Sequence, residues 1–147
     1  MPQHHDSISD DDIWVRFHSG DLTAEEWTHR AHVRIAYLHV RRDSFDTALA
    51  RVRSGIQNLN QRHGVPEALD RGYHETITQA FLRLIAVAAA ESPANDSSEF
   101  CDQHPELMTK QTLLRHYSRE RILSAEAKRM FVPPDLQHLP ELPAQQE

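Results

Sequence analysis

The chain has 147 residues, 39% of them hydrophobic and 26% charged, enough for a single domain whose core needs no disulfide staples. Sixteen basic against twenty-two acidic residues give a formal charge of −6, which argues against a nucleic-acid-binding surface. The longest apolar run, LIAVAAA at 84–90, falls far short of a membrane span.

The amino-terminal stretch MPQHHDSISDDD is acidic and lacks an apolar h-region, which predicts a cytoplasmic protein, and residues 1–8 read as a flexible lead. Ser9 and Asp10 are cap candidates for a first helix carrying Ile13, Trp14 and Phe17 and ending near Gly20. TAEE, Thr23 to Glu26, matches a capping box, in which hydroxyl and carboxylate satisfy reciprocal backbone donors. It predicts a helix running to about Arg42; a short turn that breaks at Thr28 before the main helix is the alternative. The polar arc of that helix, Arg30, Arg34 and Arg41, reads as a solvated face. Phe45, Ala48, Leu49, Val52, Ile56 and Leu59 keep helical spacing from the caps Asp43 and Ser44 to the stop at His63 and Gly64.

VPEALDRG is a connection with room for one helical turn, followed by a long apolar helix from about Tyr73 to Glu91. Beyond the loop SPANDSS the elements shorten: one near 99–103, one near 110–117, and one or two between 119 and 130, with Ser118 and Ser124 as caps. The tail VPPDLQHLPELPAQQE holds four of the eight prolines and is predicted to be irregular, draped over the body. The sum is an all-α, single-domain, irregular helical bundle of about five main helices over residues 9–132, with a Pro-rich tail over 133–147.

Histidine is the compositional outlier, with eleven copies. Stepping roughly 100° per residue places His29 and His32 in the middle of the apolar face shared with Val33, Ala36 and Val40. On the later helix His74 shares its face with Ile77, Phe81, Leu84, Ile85 and Ala88. Thr76, Gln79 and Arg83 lie opposite, and Glu75 sits at the margin near the helix start, where its charge suits the dipole. Two distant segments therefore aim imidazoles into one core.

Burial favours the neutral imidazole, and an unpaired buried polar group costs about 1–3 kcal/mol, so each ring needs a partner. Hydrogen bonding between helices is one answer, with a backbone carbonyl, Glu75, or the Tyr73 or Tyr117 hydroxyl as partner. A metal or reaction site is the other. His29-x-x-His32 sets two nitrogens one turn apart, and His74 could add a third, as catalytic Zn requires; an added carboxylate would suit Fe or Mn. Glu26 to His29 also has the Glu-x-x-His spacing of carboxylate-bridged bundles, in one copy only. Cys101 reads as a free structural thiol. His4, His5, His18, His63, His104 and His138 fall in termini, loops or helix ends and read as solvent-exposed, while Trp14, Phe17 and Trp27 read as core.

WTHRAHVRIAYLHV (27–40), YHETITQAFLRLI (73–85) and LLRHYSRERILSAEAKRMFVPPDLQHLP (113–140) occur in an order and spacing that resembles a family of small bacterial helical proteins. Its members carry W/F-T-H-x-x-H, then Y-H-E-T, then a Y-S…S…A-R…F-x-x-P-D ending. The resemblance spans Phe17 to Pro140 and points to His29, His32, His74, Glu75 and Thr76, without naming a reaction. His39 and His116 stand where an aromatic or apolar residue is expected, and Lys128 replaces the arginine of A-R, which weakens any bidentate anion contact there.

The expectation is a small metal-binding domain, a metalloenzyme acting on a small organic molecule. His29, His32 and His74 would hold one divalent metal, Zn or Fe. Glu75 would serve as fourth ligand, orienting partner or base, Tyr73 as a hydrogen-bond donor, and Thr76 as a cap or water holder. A non-catalytic interaction module with structural histidines, and a metal-free acid/base enzyme, are the alternatives.

Overall fold

The computed structural model describes residues 8–142, so the expected flexible lead up to Ser7, with His4 and His5, and the last five residues of the tail lie outside the described residues. Side-chain caps set the helix boundaries. The Ser9 hydroxyl accepts from the Asp12 amide at 3.1 Å to open α1 (Asp10–Ser19), which Gly20 closes with φ at 83°. TAEE forms its reciprocal box: the Thr23 amide donates to Glu26 at 3.0 Å, and the Glu26 amide donates to the Thr23 hydroxyl at 3.2 Å. The box closes only a turn. The main helix α2 (His29–Arg42) starts afresh, with the Thr28 hydroxyl accepting from the Ala31 amide at 3.2 Å. The alternative with a break at Thr28 is the one realised.

Ser44 caps α3 (Phe45–Arg62), which ends at His63 and the left-handed Gly64. The connection that follows has no helical turn; it closes on an isolated antiparallel bridge between Ala68 and Arg71. α4 (Glu75–Glu91) begins two residues later than its apolar pattern predicts, because His74 is its cap and not its first turn. Asp96 opens α5 (Ser97–Gln103), and two 3-10 segments follow, Pro105–Met108 and Lys110–Arg115. Ser118 and Ser124 cap the short α6 (Arg119–Ile122) and α7 (Ala125–Arg129), as their positions predict. Among the described residues there is no strand, and no helix is long and apolar enough to cross a membrane.

α2 is the axis of the bundle. α1, α3, α4, α5 and the first 3-10 segment all pack on it, and its residues 33–39 are buried without interruption. Gly55 of α3 lets α1 come close: a Cβ there would lie 2.0 Å from the Phe17 ring. The start of the tail is tied to the first turn of α4 and to the segment before α6. Thr76 donates to the Met130 carbonyl at 3.0 Å and accepts from the Val132 amide at 3.1 Å, while the Tyr117 hydroxyl donates to the Val132 carbonyl at 2.7 Å. Asp135 accepts from the Ser118 amide and hydroxyl at 2.8 and 2.7 Å, and the Leu136 amide donates to the His116 carbonyl at 2.9 Å.

The arginine arc of α2 is solvated only in part. Arg34 is 2% exposed, because α5 and the start of α1 lie over it. Its guanidinium donates to the Ser97 hydroxyl at 2.7 Å, the Ile8 carbonyl at 2.8 Å and Asp10 at 3.2 Å, and the Ser97 amide also donates to Asp10 at 3.1 Å. Arg34 thereby ties three segments together, while Arg41 stays exposed. Breaking a buried ion pair from one side costs about 3–5 kcal/mol, and an exposed charge within about 1 kcal/mol. Arg34→Ala should therefore lower the urea-unfolding free energy by about 3 kcal/mol, and Arg41→Ala by under about 1 kcal/mol. Equal, small effects would contradict this reading of the Arg34 network.

Candidate functional site

A cavity of about 150 Å³ lies between α2, α3 and α4, and His29, His32 and His74 all line it. Val33 and Ala36 of α2, Val52 and Ile56 of α3, and Ile77, Phe81, Leu82 and Ile85 of α4 form its apolar wall. Tyr73, Asn60, Thr78 and Lys110 supply the remaining polar lining. The helical spacing that brought His74 to this face also brings Thr78, four residues on, and Val52, Ile56 and Asn60 follow the same step along α3. Lys110 arrives on a 3-10 segment, without a periodic signal, and stands exposed at the rim.

Carbonyl partners fix the imidazole tautomers, since a carbonyl can only accept. His29 Nε2 lies 2.9 Å from the Leu107 carbonyl, so Nε2 carries the proton and Nδ1 the lone pair. His32 is the mirror case: Nδ1 donates to the Thr28 carbonyl at 2.7 Å, one turn back, which leaves the lone pair on Nε2. The Trp27 indole stacks on the His32 ring with centroids 3.7 Å apart, and the His29 ring meets Phe81 edge-on at 5.3 Å. Neither lone pair has a protein partner among the described residues. Among the described residues the sealed side-chain polar atoms without a hydrogen bond are Trp27 Nε1, Asp43 Oδ2 and His104 Nε2, so His29 Nδ1 and His32 Nε2 keep access to open space.

His74 is different. Its Nδ1 accepts from the Ile77 amide at 3.1 Å, capping α4, and its Nε2 donates to the Ile122 carbonyl at 2.8 Å. Both ring nitrogens are committed to structure. A His ring that caps one helix and grips the end of another cannot also offer a lone pair to a metal without releasing the Ile77 amide. Among the described residues no group of three or more His, Cys, Asp or Glu is arranged to hold a metal ion.

The acidic candidates also lie elsewhere. Glu75 forms a two-pronged pair with Arg53, at 2.9 and 2.7 Å, and accepts from the Tyr73 hydroxyl at 2.8 Å. It lines a separate groove with Arg53, Glu67, Gln79 and Lys128, and Tyr73 stands between that groove and the cavity. Burial pushes the Glu75 carboxyl up, but Arg53 and Tyr73 outweigh it and hold it below its ordinary value. Thr76 is fully buried under the tail and lines neither space. Glu26 is taken up by Arg16 and the Thr23 amide, so its Glu-x-x-His spacing serves the turn before α2.

Electrostatics keeps the cavity imidazoles neutral. Burial, with smaller contributions from His29 and Lys110, outweighs the Thr28 carbonyl and pushes His32 down to about 4. Burial also lowers His29 against the Leu107 carbonyl, and lowers His74 against the Ile122 carbonyl. A second imidazole pair sits at the other end of α2. The fully buried His39 donates from Nδ1 to the Ile35 carbonyl at 2.7 Å, so its Nε2 accepts from His18 Nε2 at 3.0 Å. The Trp14 indole stacks on His39 at 4.3 Å. His39 is likewise pushed down to about 4, chiefly by burial. His18, expected to be merely exposed, is thus half of a pair, and His63 is tethered too, donating to the Leu22 carbonyl at 2.7 Å. Cys101 is buried, its thiol directed at the Arg30 carbonyl at 3.8 Å.

Comparison with protein-family models, with curated proteins and with solved structures returned no match. The geometry of the cavity is therefore what speaks to function.

The pKa values of His32 and His39 carry a sign for stability. Both are neutral when folded down to about pH 4, but take a proton in the unfolded chain near 6.5. Across that window the unfolded state binds more protons, so stability falls as pH falls from 6.5 towards 4, by up to roughly 3 kcal/mol for the fully buried His39 and by less for the half-buried His32. Urea midpoints should be flat above neutrality and drop through this window, and His39→Phe should shallow the slope. A midpoint independent of pH in that range would contradict the neutral, buried assignment. The His74 cap gives a second check: His74→Ala should cost about 1–2 kcal/mol, and His74→Asn should recover part of it.

Proposed function

We propose that the protein binds a small, largely apolar organic molecule in the cavity between α2, α3 and α4, with His32, assisted by His29, as the hydrogen-bond acceptor and candidate base. The observation that carries this reading is a ring held rigidly from one side. The Thr28 carbonyl fixes the His32 tautomer and Trp27 its plane, and its second nitrogen is left with a lone pair and no protein partner. His74, by contrast, commits both of its nitrogens to the fold. Desolvation keeps His32 uncharged at neutral pH, the form in which an imidazole accepts a proton or a hydrogen bond. The apolar walls match the general character of small-molecule sites, in which few polar groups orient the ligand.

Two lone pairs one turn apart are also what a divalent metal would meet first, so the Zn or Fe centre expected from the sequence is an outcome of the same test. Protein purified without a nickel column is analysed for bound metal, then titrated with toluene while amide resonances are followed by NMR. The reading predicts substoichiometric metal and ligand-induced shifts confined to residues around Val33, Ala36, Ile77 and Phe81. Ala36→Leu, which fills the space, should abolish those shifts and leave the fold intact. Stoichiometric Zn or Fe in the purified protein would favour the metal-centred reading instead, and absence of shifts with toluene and with phenol would sink the ligand site.

A further inference from the structure

The polar groups of the cavity are unequal in kind. Every ring N–H that its three histidines own is already donated outward: His29 to Leu107, His32 to Thr28 and His74 to Ile122. The Tyr73 hydroxyl donates away as well, to Glu75 at 2.8 Å. What remains at the imidazole end is acceptor only, the lone pairs of His29 Nδ1 and His32 Nε2. Donors come from elsewhere on the lining: Lys110 at the exposed rim, and the Asn60 amide and Thr78 hydroxyl on α3 and α4. A lone pair facing apolar walls is costly until something brings it a proton, whereas an anion placed there meets two further lone pairs. The space, about 150 Å³, is that of cavities known to hold a benzene ring.

We propose that this cavity selects a neutral hydrogen-bond donor carried on a compact apolar body, of which phenol is the simplest probe. The proposal rests on the ligand-site reading above and adds the class of molecule. The donor goes to His32, with His29 beside it, and the ring lies against Phe81 and Ile77. A carboxylate of the same size is disfavoured at the imidazoles, because burial resists the protonation that would make them donors.

The test is titration calorimetry of the full chain with phenol, anisole, toluene and benzoate, alongside the ¹⁵N resonance of His32 Nε2. Phenol should bind roughly tenfold or more tighter than anisole or toluene, the difference one hydrogen bond to a desolvated acceptor supplies. Phenol, and not toluene, should move the His32 Nε2 resonance, a readout that needs no variant. In His32→Phe, phenol should lose its advantage and bind no tighter than toluene measured on the same variant. Equal binding of phenol and toluene would overturn the donor selection while leaving the ligand site standing. Benzoate binding tighter than phenol would overturn it in favour of an anion held by Lys110. Failure of all four would remove the ligand site together with the proposal.

Discussion

α2 is enclosed by α1, α3, α4, α5 and the first 3-10 segment, and that enclosure governs what its polar side chains must do. Arg34 and His39 are buried and His29 and His32 half-buried, and a buried polar group without a partner costs on the order of 1–3 kcal/mol. Three devices meet them. Arg34 receives a hydroxyl, a carbonyl and a carboxylate from Ser97, Ile8 and Asp10. His39 and His32 bend back to carbonyls of their own helix, four residues earlier. His29 reaches across to Leu107. These bonds decide which way every ring faces, and so which nitrogens remain for chemistry.

The same logic separates structure from site among the candidates. His74 holds the start of α4 against the end of α6 and is used up doing so. Glu75, one residue on, points the other way and is neutralised by Arg53. Thr76 faces a third direction and holds the tail. Three consecutive residues at a helix start thus serve three different surfaces, because successive side chains there are about 100° apart. What is left at the cavity is a pair of neutral imidazole lone pairs against apolar walls, with an ammonium group at the rim. On the ligand-site reading proposed above, that pair is where a small molecule would be held through a hydrogen bond.

Much of the fold was legible because caps and apolar periodicity are local. Ser9, Ser44, Ser118 and Ser124 were readable as caps, as was Gly20 as a stop, since each acts on backbone within three or four residues. Helical phase points His29, His32 and His74 inward, while their meeting at one cavity depends on the packing of α2 against α4. What the phase could not supply was the ring orientation, which depends on carbonyls of Leu107 and Ile122 that are 78 and 48 residues away in the chain. The burial of Arg34 was hidden for the same reason: its partners Asp10 and Ser97 belong to segments 24 and 63 residues distant. The sequence also shows His74 three residues before Ile77, a spacing that fits a cap, but imidazole caps are uncommon beside Ser, Thr and Asp, so the apolar face drew the reading into the helix.

The assignment on which the cavity chemistry stands is the protonation of its rings, and long-range ¹H–¹⁵N correlation spectra of the histidine side chains read that directly. At neutral pH His32 should appear as the neutral Nδ1–H tautomer with an unprotonated Nε2, while His29 and His74 appear as Nε2–H tautomers. A charged imidazolium at position 32 under those conditions, or a His32 proton on Nε2, would contradict the lone pair that the cavity is built around.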